Sequence, residues 1–543
     1  MKYRSVILLL SLLAACKSKP PADLLLYNAV IYTVNDSFTV AQAMAIRNGH
    51  ILAVGSNDAL QDQYAYAERI DADGKVIYPG FIDAHAHFTG YGLGLQQVAL
   101  AGTGSWQEVV NKVKAFAAAN PQPWILGRGW DQNDWDVKSF PDKSQLDSAF
   151  PNTPVFLARV DGHAAVVNQA ALDAAGVKAG QILTGGMVET SNGRLTGILI
   201  DNAVDLVSSK IPSPSPAQYE KSWRAAEQQC FAVGLTSVSD CGLELKEALL
   251  LDTLQRSGSV QMRVYVMLSD NETNWQWLKQ HGPYKKDRIN IGGMKFYADG
   301  ALGSRGACLL HEYADKAGWK GFLLKDKSYF AAKAQEMAGT ALQMCTHAIG
   351  DSATREILNI YASALKGKND KRWRIEHAQV VDSADFHLFG EYSVVPSVQP
   401  THATSDMYWA ASRLGHQRVK TAYAYRQLLE QNGWLPLGTD FPVEDISPLK
   451  TFLAAVGRVD AKGYPEGGFQ AENALSRERA LRGMTIWAAR AAFEEKEKGS
   501  LEPGKLADFI LLDRDLMKMP VTDILTTRVV ATYIGGRKVY AGK

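Results

Sequence analysis

The chain has 543 residues, and at about 150 residues per domain that length implies three or four domains rather than one. Hydrophobic residues make up 46% and charged residues 21%, which excludes a disordered, collagen-like or polytopic membrane chain and leaves a large globular protein able to bury its own core. Lys and Arg number 58 against 57 Asp and Glu, so no nucleic-acid partner is expected, and five cysteines make no disulfide framework.

The first residues are a different kind of object. Lys2 and Arg4 precede the apolar run Val6 to Ala15, which ends in Leu13-Ala14-Ala15-Cys16. A charged start, a short apolar stretch and small residues at a cleavage point make a secretory signal. The run is too short to span a bilayer, which takes about 20 apolar residues. Leu-Ala-Ala-Cys resembles the bacterial lipobox, so residues 1–15 are expected to be removed and Cys16 lipidated. A plain signal peptide followed by a chance cysteine is the alternative. The protein is therefore expected at the cell envelope, facing the periplasm or exterior and touching a membrane only through its lipid, with residues 16–22 as a tether. Cys230, Cys241, Cys308 and Cys345 have no metal-finger spacing and read as small buried hydrophobes.

From Asp23 to Lys75 short strand-like runs alternate with turns, Asn48-Gly49 being a strong hairpin signal. The tail, residues 501–543, behaves the same way through Asp508–Leu512, Val529–Ile534 and Lys538–Tyr540. Neither end has strands enough for a stable sheet, so the two together are expected to build one composite β domain. Between them, over residues 76–500, strand-like runs alternate with helical stretches: Val76–Asp83, Leu235–Asp240, Met262–Leu268, Gly293–Asp299, Leu342–His347, Trp373–His377, Val394–Val398 and Leu435–Asp440. That alternation predicts an α/β chain with parallel β/α units, and eight units close into a (β/α)8 TIM-type barrel whose catalytic groups sit at the C-terminal strand ends. The interval after the first run far exceeds a usual βα loop. Residues from about 90 to 216 should therefore form an inserted subdomain, with Pro212-Ser-Pro-Ser-Pro216 punctuating its exit.

The unusual residues collect at those strand ends. The first run leads into Asp83-Ala84-His85-Ala86-His87, and residues i and i+2 of an extended chain face the same way, so His85 and His87 can meet one metal. Lys295 lies in the fourth run; His347, His377 and Asp440 end the fifth, sixth and eighth. Any one of these alone would read as a satisfied core or loop residue. Convergence on one mouth points to a metal, and imidazole with carboxylate suits Zn²⁺ and its borderline neighbours.

From Asp23 to the C-terminus the chain resembles the amidohydrolase superfamily, in the branch that contains YtcJ-like proteins and N-substituted formamide deformylases. The resemblance is carried by Pro79-Gly-Phe-Ile-Asp-Ala-His-Ala-His87, Gly127-Arg-Gly-Trp-Asp-Gln-Asn133 and Asp161-Gly-His-Ala164. It continues through Lys295-Phe-Tyr-Ala-Asp-Gly-Ala-Leu-Gly-Ser-Arg305, His347-Ala-Ile-Gly-Asp351, Ile375-Glu-His-Ala-Gln379, Gly438-Thr-Asp-Phe-Pro442 and Pro503-Gly-Lys-Leu-Ala-Asp-Phe509. Thr439 stands where a serine is common. The resemblance implies two divalent ions, zinc being expected, bridged by a CO2-derived carbamate on Lys295. It places His85, His87 and Asp440 on one ion, and His347 and His377 on the other. An unmodified lysine beside the ligands would leave a single-metal site.

The implied activity is that of a metal-dependent amidohydrolase, cleaving a non-peptide C–N bond of an amide or formamide-like small molecule through a metal-activated hydroxide. Asp440 is the expected catalytic proton carrier. Esterase, lactonase or phosphotriesterase chemistry on the same centre is the alternative, as is a non-catalytic surface binding protein. Within the insertion His163, Arg159 and Asp161 are candidates for facing substrate, and Trp130, with Trp124 and Trp135, for apolar pocket wall. His402 and Asp406 are weaker pocket candidates, while His50, His281, His311, His387 and His416 are assigned no role. The oligomeric state is open, and a homodimer is compatible with such a chain.

Overall fold

The computed structural model describes residues 19–542; the expected signal peptide and Cys16 lie outside them. Among the described residues no helix is long and apolar enough to cross a membrane. The centre is a parallel sheet whose strands are ordered as in the sequence: β1 (Phe81–Ala86), β2 (Leu235–Leu243), β3 (Arg263–Ser269), β4 (Ile289–Tyr297), β5 (Gln343–Ala348), β6 (Arg374–His377) and β7 (Val395–Ser397). Residues such as Val264, Val266, Met267 and Leu268 of β3 are all buried, as parallel strands covered on both faces require. The eighth stave, residues 435–440, closes the ring through a few bonds. Gly438 N donates to Val398 O at 3.0 Å, Ala84 N donates to Leu437 O at 3.2 Å, and Asp440 N donates to His85 O at 2.8 Å. The expected TIM-type barrel is thus present.

The first expected strand, Val76–Asp83, is in fact two. Val76–Pro79 belongs to the terminal β domain and β1 to the barrel. The break falls at Gly80, where a Cβ would come 2.3 Å from Thr236 Oγ1, so only glycine lets the chain cross between the sheets there. The terminal domain is two packed sheets. One is four-stranded, from residues Pro21–Tyr27, Ala43–Arg47, His50–Gly55 and Ala65–Asp71; the other is six-stranded and mixes three strands from each end of the chain. Leu24, Ile46 and Ile77 from the start pack with Phe509, Leu511 and Tyr533 from the end. The first strand begins at Pro21, two residues inside the expected tether, because Pro21 and Ala22 pair with Ala65 and Tyr66. A buried ion pair, Arg263 Nε to Asp508 Oδ2 at 2.6 Å, ties β3 to this domain.

The insertion has its own seven-stranded sheet, running from Val98 to Asp201, and its own cores. The chain leaves it through helix Pro216–Ala232. Proline sits in that helix's first turn, and Ser215 forms a reciprocal cap with Gln218, as the sequence at that exit favours.

Candidate metal centre

At the C-terminal ends of the strands the barrel and insertion enclose a cleft of about 870 Å³. His87, Lys295, His347, His377 and Asp440 all open onto it, with His85 fully buried beneath. The ligating atoms of His85, His377 and Asp440 lie within 4.8 Å of one another. His87 Nε2 is 3.2 Å from Asp440 Oδ1, and His85 Nε2 is 3.5 Å from it. His347 stands beside this trio, its ring 4.6 Å from that of His377. Lys295 Nζ is 3.4 Å from His85 Nε2. The structure therefore brings together all six residues singled out at the strand ends.

Three of the four imidazoles, those of His85, His377 and His347, are aimed by a hydrogen bond at the far nitrogen. His85 Nδ1 donates to Glu376 Oε2 at 2.5 Å, His377 Nδ1 to Gln399 Oε1 at 2.8 Å, and His347 Nε2 to the Gly300 carbonyl at 3.4 Å. An oxygen acceptor fixes the tautomer, leaving Nε2 of His85 and His377 and Nδ1 of His347 as free lone pairs. Glu376 is held ionised. Burial pushes its pKa up, but the Arg374 guanidinium at 2.7 Å and His85 pull it well below the usual carboxylate range. His85 goes the other way, down to about 4, through burial and the charge of Lys295, so it stays neutral as a metal ligand must.

Asp440 has a split environment. Its Oδ2 faces His402 Nε2 at 3.3 Å, and His402 Nδ1 in turn lies 2.9 Å from Glu444. Its Oδ1 is buried without a hydrogen-bond partner, an arrangement that costs free energy unless something else meets the oxygen. Burial raises the Asp440 pKa, yet the hydrogen bond from His402 and the charges of its neighbours hold it well below the usual range. The backbone is strained at both ends of the site. Asp440 has φ of 64° and His377 of 71°, a left-handed conformation costing about 1–2 kcal/mol in a non-glycine residue and characteristic of functional positions. An orphaned carboxylate oxygen facing free imidazole nitrogens fits a divalent cation in both charge and donor chemistry.

Asp83 fastens the site together. It accepts from His85 N at 3.1 Å and from Thr439 N and Oγ1 at 3.0 and 2.6 Å, so it clamps the eighth stave onto β1 and sets Asp440 beside His85. Threonine at 439 serves this bond as a serine would. At the end of β4, Asp299 accepts from Cys308, Ile349 and Gly350 amides and anchors the turn after His347.

His163 faces the cleft as expected, with Nδ1 on Asp201 Oδ1 at 2.8 Å and its ring 4.9 Å from His347. Arg159 and Asp161 line the cleft as an ion pair, Arg159 also meeting Asp131. His402 and Asp406 line it too, and burial pushes Asp406 up to about 7. Trp130 corrects an expectation. It is fully buried in the insertion, its Nε1 donating to Leu157 O at 2.8 Å and its ring packed on Trp135. Trp135 shares that core and Trp124 packs against the neighbouring one. The cause is a bulge at Gly129, where φ is 110° and the register with the next strand shifts between Arg128 and Trp130. In a regular strand those two would share a face; here Arg128 enters the cleft and Trp130 the core. Arg128, Glu376, Asp83 and Trp409, the aromatic wall of the cleft, were given no role from sequence, although the first three stand inside the motifs that carry the family resemblance.

A parallel barrel with imidazoles and a carboxylate converging at its strand ends is the architecture of a metal-dependent hydrolase. The amidohydrolase family model Amidohydro_3 matches residues 68–540, and the chain belongs to that family, whose members typically hold divalent metal. It is 36% identical to "Protein LONG AFTER FAR-RED 3" of Arabidopsis thaliana over 538 residues, covering 96% of this chain and 92% of that protein. It is 27% identical to an N-substituted formamide deformylase of Arthrobacter pascens, covering 95% and 97%. Among solved structures, an uncharacterized metal-dependent hydrolase from Pyrococcus horikoshii superposes with a TM-score of 0.75 at 27% identity, covering 92% of this chain and 99% of that one.

Proposed function

We propose that the protein hydrolyses a non-peptide C–N bond, in an amide or formamide-like small molecule, at a binuclear metal centre. The observation that carries this is the buried, unpartnered Asp440 Oδ1 beside His85 and His377, whose far nitrogens are already engaged. His85, His87 and Asp440 would hold one divalent ion, zinc being expected, and His347 and His377 a second. Such ions acidify water and polarise a carbonyl. Lys295, buried with no carboxylate within ion-pair distance among the described residues, would bridge as a carbamate. Its ammonium gives up one proton, and the neutral amine adds to CO2 with loss of a second, replacing a cation by an anion where cations are to be held.

Hydrolysis puts the oxygen of water on the acyl carbon and its proton on the departing nitrogen. Asp440, kept ionised, would accept that proton and return it to the amine, while His402 holds Oδ2 in place. The N-substituted formamide deformylase among the relatives supports a formamide or simple amide. The insertion, which follows the C-terminal end of β1 where His85 and His87 sit, would serve as the lid that shields the cleft from bulk water. The expected location is the cell envelope, anchored through Cys16, which an acylated mature N-terminus in mass spectrometry would verify.

The test is a metal count on purified full-length protein, followed by assay against formamides, acyl amines, lactones and aryl esters. Turnover of the nitrogen compounds is expected to dominate. Dominant ester or lactone cleavage would reassign the reaction, and no turnover by metal-loaded protein would leave a binding protein.

A further inference from the structure

The carboxylates buried around the cleft are already engaged within the protein, whereas two of its cations, Lys295 and Arg128, meet no carboxylate among the described residues, and Lys295 is assigned above to the metal centre. Arg159 is met by Asp131 and Asp161, and its Nε donates to Gln132 at 2.9 Å. Lys325 lies 3.3 Å from Asp270. Asp201 has His163, Glu444 has His402, and Asp240 accepts twice from Thr89. Arg128 differs. It lines the same cleft, yet among the described residues no carboxylate lies within ion-pair distance, and its one hydrogen bond runs from Nη2 to Val160 O at 2.9 Å. Its Nε is buried without an acceptor, and Nη1 makes no hydrogen bond.

Two further features look built around that guanidinium. The Gly129 bulge turns Arg128 out of the insertion's core and into the cleft. Gly162 leaves the end of the side chain open: a Cβ there would stand 3.3 Å from Nη1 and 3.4 Å from Nη2. An unpaired, largely desolvated guanidinium is unfavourable until an anion meets it, and its end-on edge matches a carboxylate in bidentate fashion. The metal site occupies the same cleft and is close enough for the Asp440 charge to act on Arg128.

We propose that Arg128 anchors the substrate by an anionic group, so that the compound cleaved is an N-acyl or N-formyl amine bearing a carboxylate. This rests on the amide-hydrolase reading above and adds the substrate class to it. Neutral amides lacking the acid would leave Arg128 unmatched, and sites with an unsatisfied polar group discriminate strongly against ligands that fail to meet it.

The matched probes are N-formylphenylalanine and N-formylphenethylamine, which differ only by the carboxylate, assayed with metal-loaded full-length protein. The wild type should prefer the acid, and R128Q should reduce the ratio of the two kcat/KM values by about 10- to 100-fold, mainly through KM, with R128K recovering part. In parallel, 3-phenylpropanoate is titrated calorimetrically into the same metal-loaded proteins. Its Kd should rise by a similar factor in R128Q, and G162A, which keeps the guanidinium but covers its edge, should weaken it too. Thermal melts confirm that each variant is folded. An unchanged ratio and unchanged Kd in folded R128Q overturn the anchor while leaving the hydrolase reading intact. Failure of the wild type to cleave either formamide, with esters or lactones cleaved instead, overturns the hydrolase reading, and the titration then decides Arg128 by itself.

Discussion

Two residues of the centre touch the same groups and should fail in different ways. Asp440→Asn keeps a ligating oxygen but cannot take up a proton, and general acid–base catalysis contributes about 10²–10⁴-fold. That variant is expected to retain much of its metal and to lose turnover on that scale. If Lys295 bridges as proposed, Lys295→Ala should lose metal first, with short carboxylic acids restoring part of it. Metal per chain and turnover on one substrate, measured for both, check the assignment; full metal and full rate in Lys295→Ala would leave a single-metal enzyme. Glu376 acts through His85. Glu376→Gln weakens the acceptor that aims the imidazole and leaves Arg374 without its ionised partner. It should lower metal affinity by about 10- to 100-fold, read by competition with a metal-buffering chelator. Glu376 is not legible as a site residue in the sequence, since alternation along a strand puts it on the face opposite His377. The left-handed backbone at His377 breaks that alternation, so both side chains reach His85.

At the scale of elements, the contact that joins barrel to terminal domain is the buried pair Arg263–Asp508. Burial pushes the Asp508 pKa up, but the charge and hydrogen bonds of Arg263 outweigh it and hold it below the ordinary value. Asp508→Asn leaves a buried guanidinium without its counter-charge, a change that costs about 3–5 kcal/mol, so the melting temperature should drop. The sign of the pH effect follows from the lowered pKa. The stabilisation is fully present above the unfolded value of about 4 and is lost as pH falls through the folded one. The gap between wild type and variant should therefore be flat from pH 5 to 8 and narrow only below about pH 4. A gap that widened on acidification would contradict the lowered pKa. The pairing of terminal strands was foreseeable, since Asp23–Lys75 and the tail are each too poor in strands to stand alone. Their junction with the barrel was not, because Val76–Asp83 reads as one apolar run and only the crowding of Gly80 by Thr236 shows where one sheet ends and the next begins.

For the whole molecule, the candidate metal site gathers side chains from β1, β4, β5, β6 and the eighth stave, so metal bound there would tie together strands far apart in the chain. A ligand that binds only the folded state stabilises it by RT ln(1 + [L]/Kd), about 4 kcal/mol at a thousandfold excess over Kd. Chelation should lower the melting temperature of the full-length protein, and added zinc should restore it. The change should be absent in Lys295→Ala, which is expected to hold little metal. Calorimetric scans of the untreated, chelated and zinc-restored protein, and of Lys295→Ala with and without chelator, make the comparison.

What the sequence by itself determined is what depends on local order along the chain. Strand and helix alternation dictated the barrel, the oversized interval after the first strand dictated an insertion, and His85, His87, Lys295, His347, His377 and Asp440 were legible because strand ends of a barrel share one mouth. What only the tertiary structure decided is whatever depends on a partner distant in sequence or on a single backbone torsion. Asp83 clamps Thr439 across the barrel seam, Glu376 and Gln399 choose the tautomers of His85 and His377, and Asp440 Oδ1 is left without a partner. One positive φ at Gly129 sends Trp130 into the core and Arg128 into the cleft. The physical reason is the same in each case. Period and composition fix which face a segment buries, but a bulge, a left-handed residue or a hydrogen bond across the fold resets the direction of one side chain without altering the pattern around it.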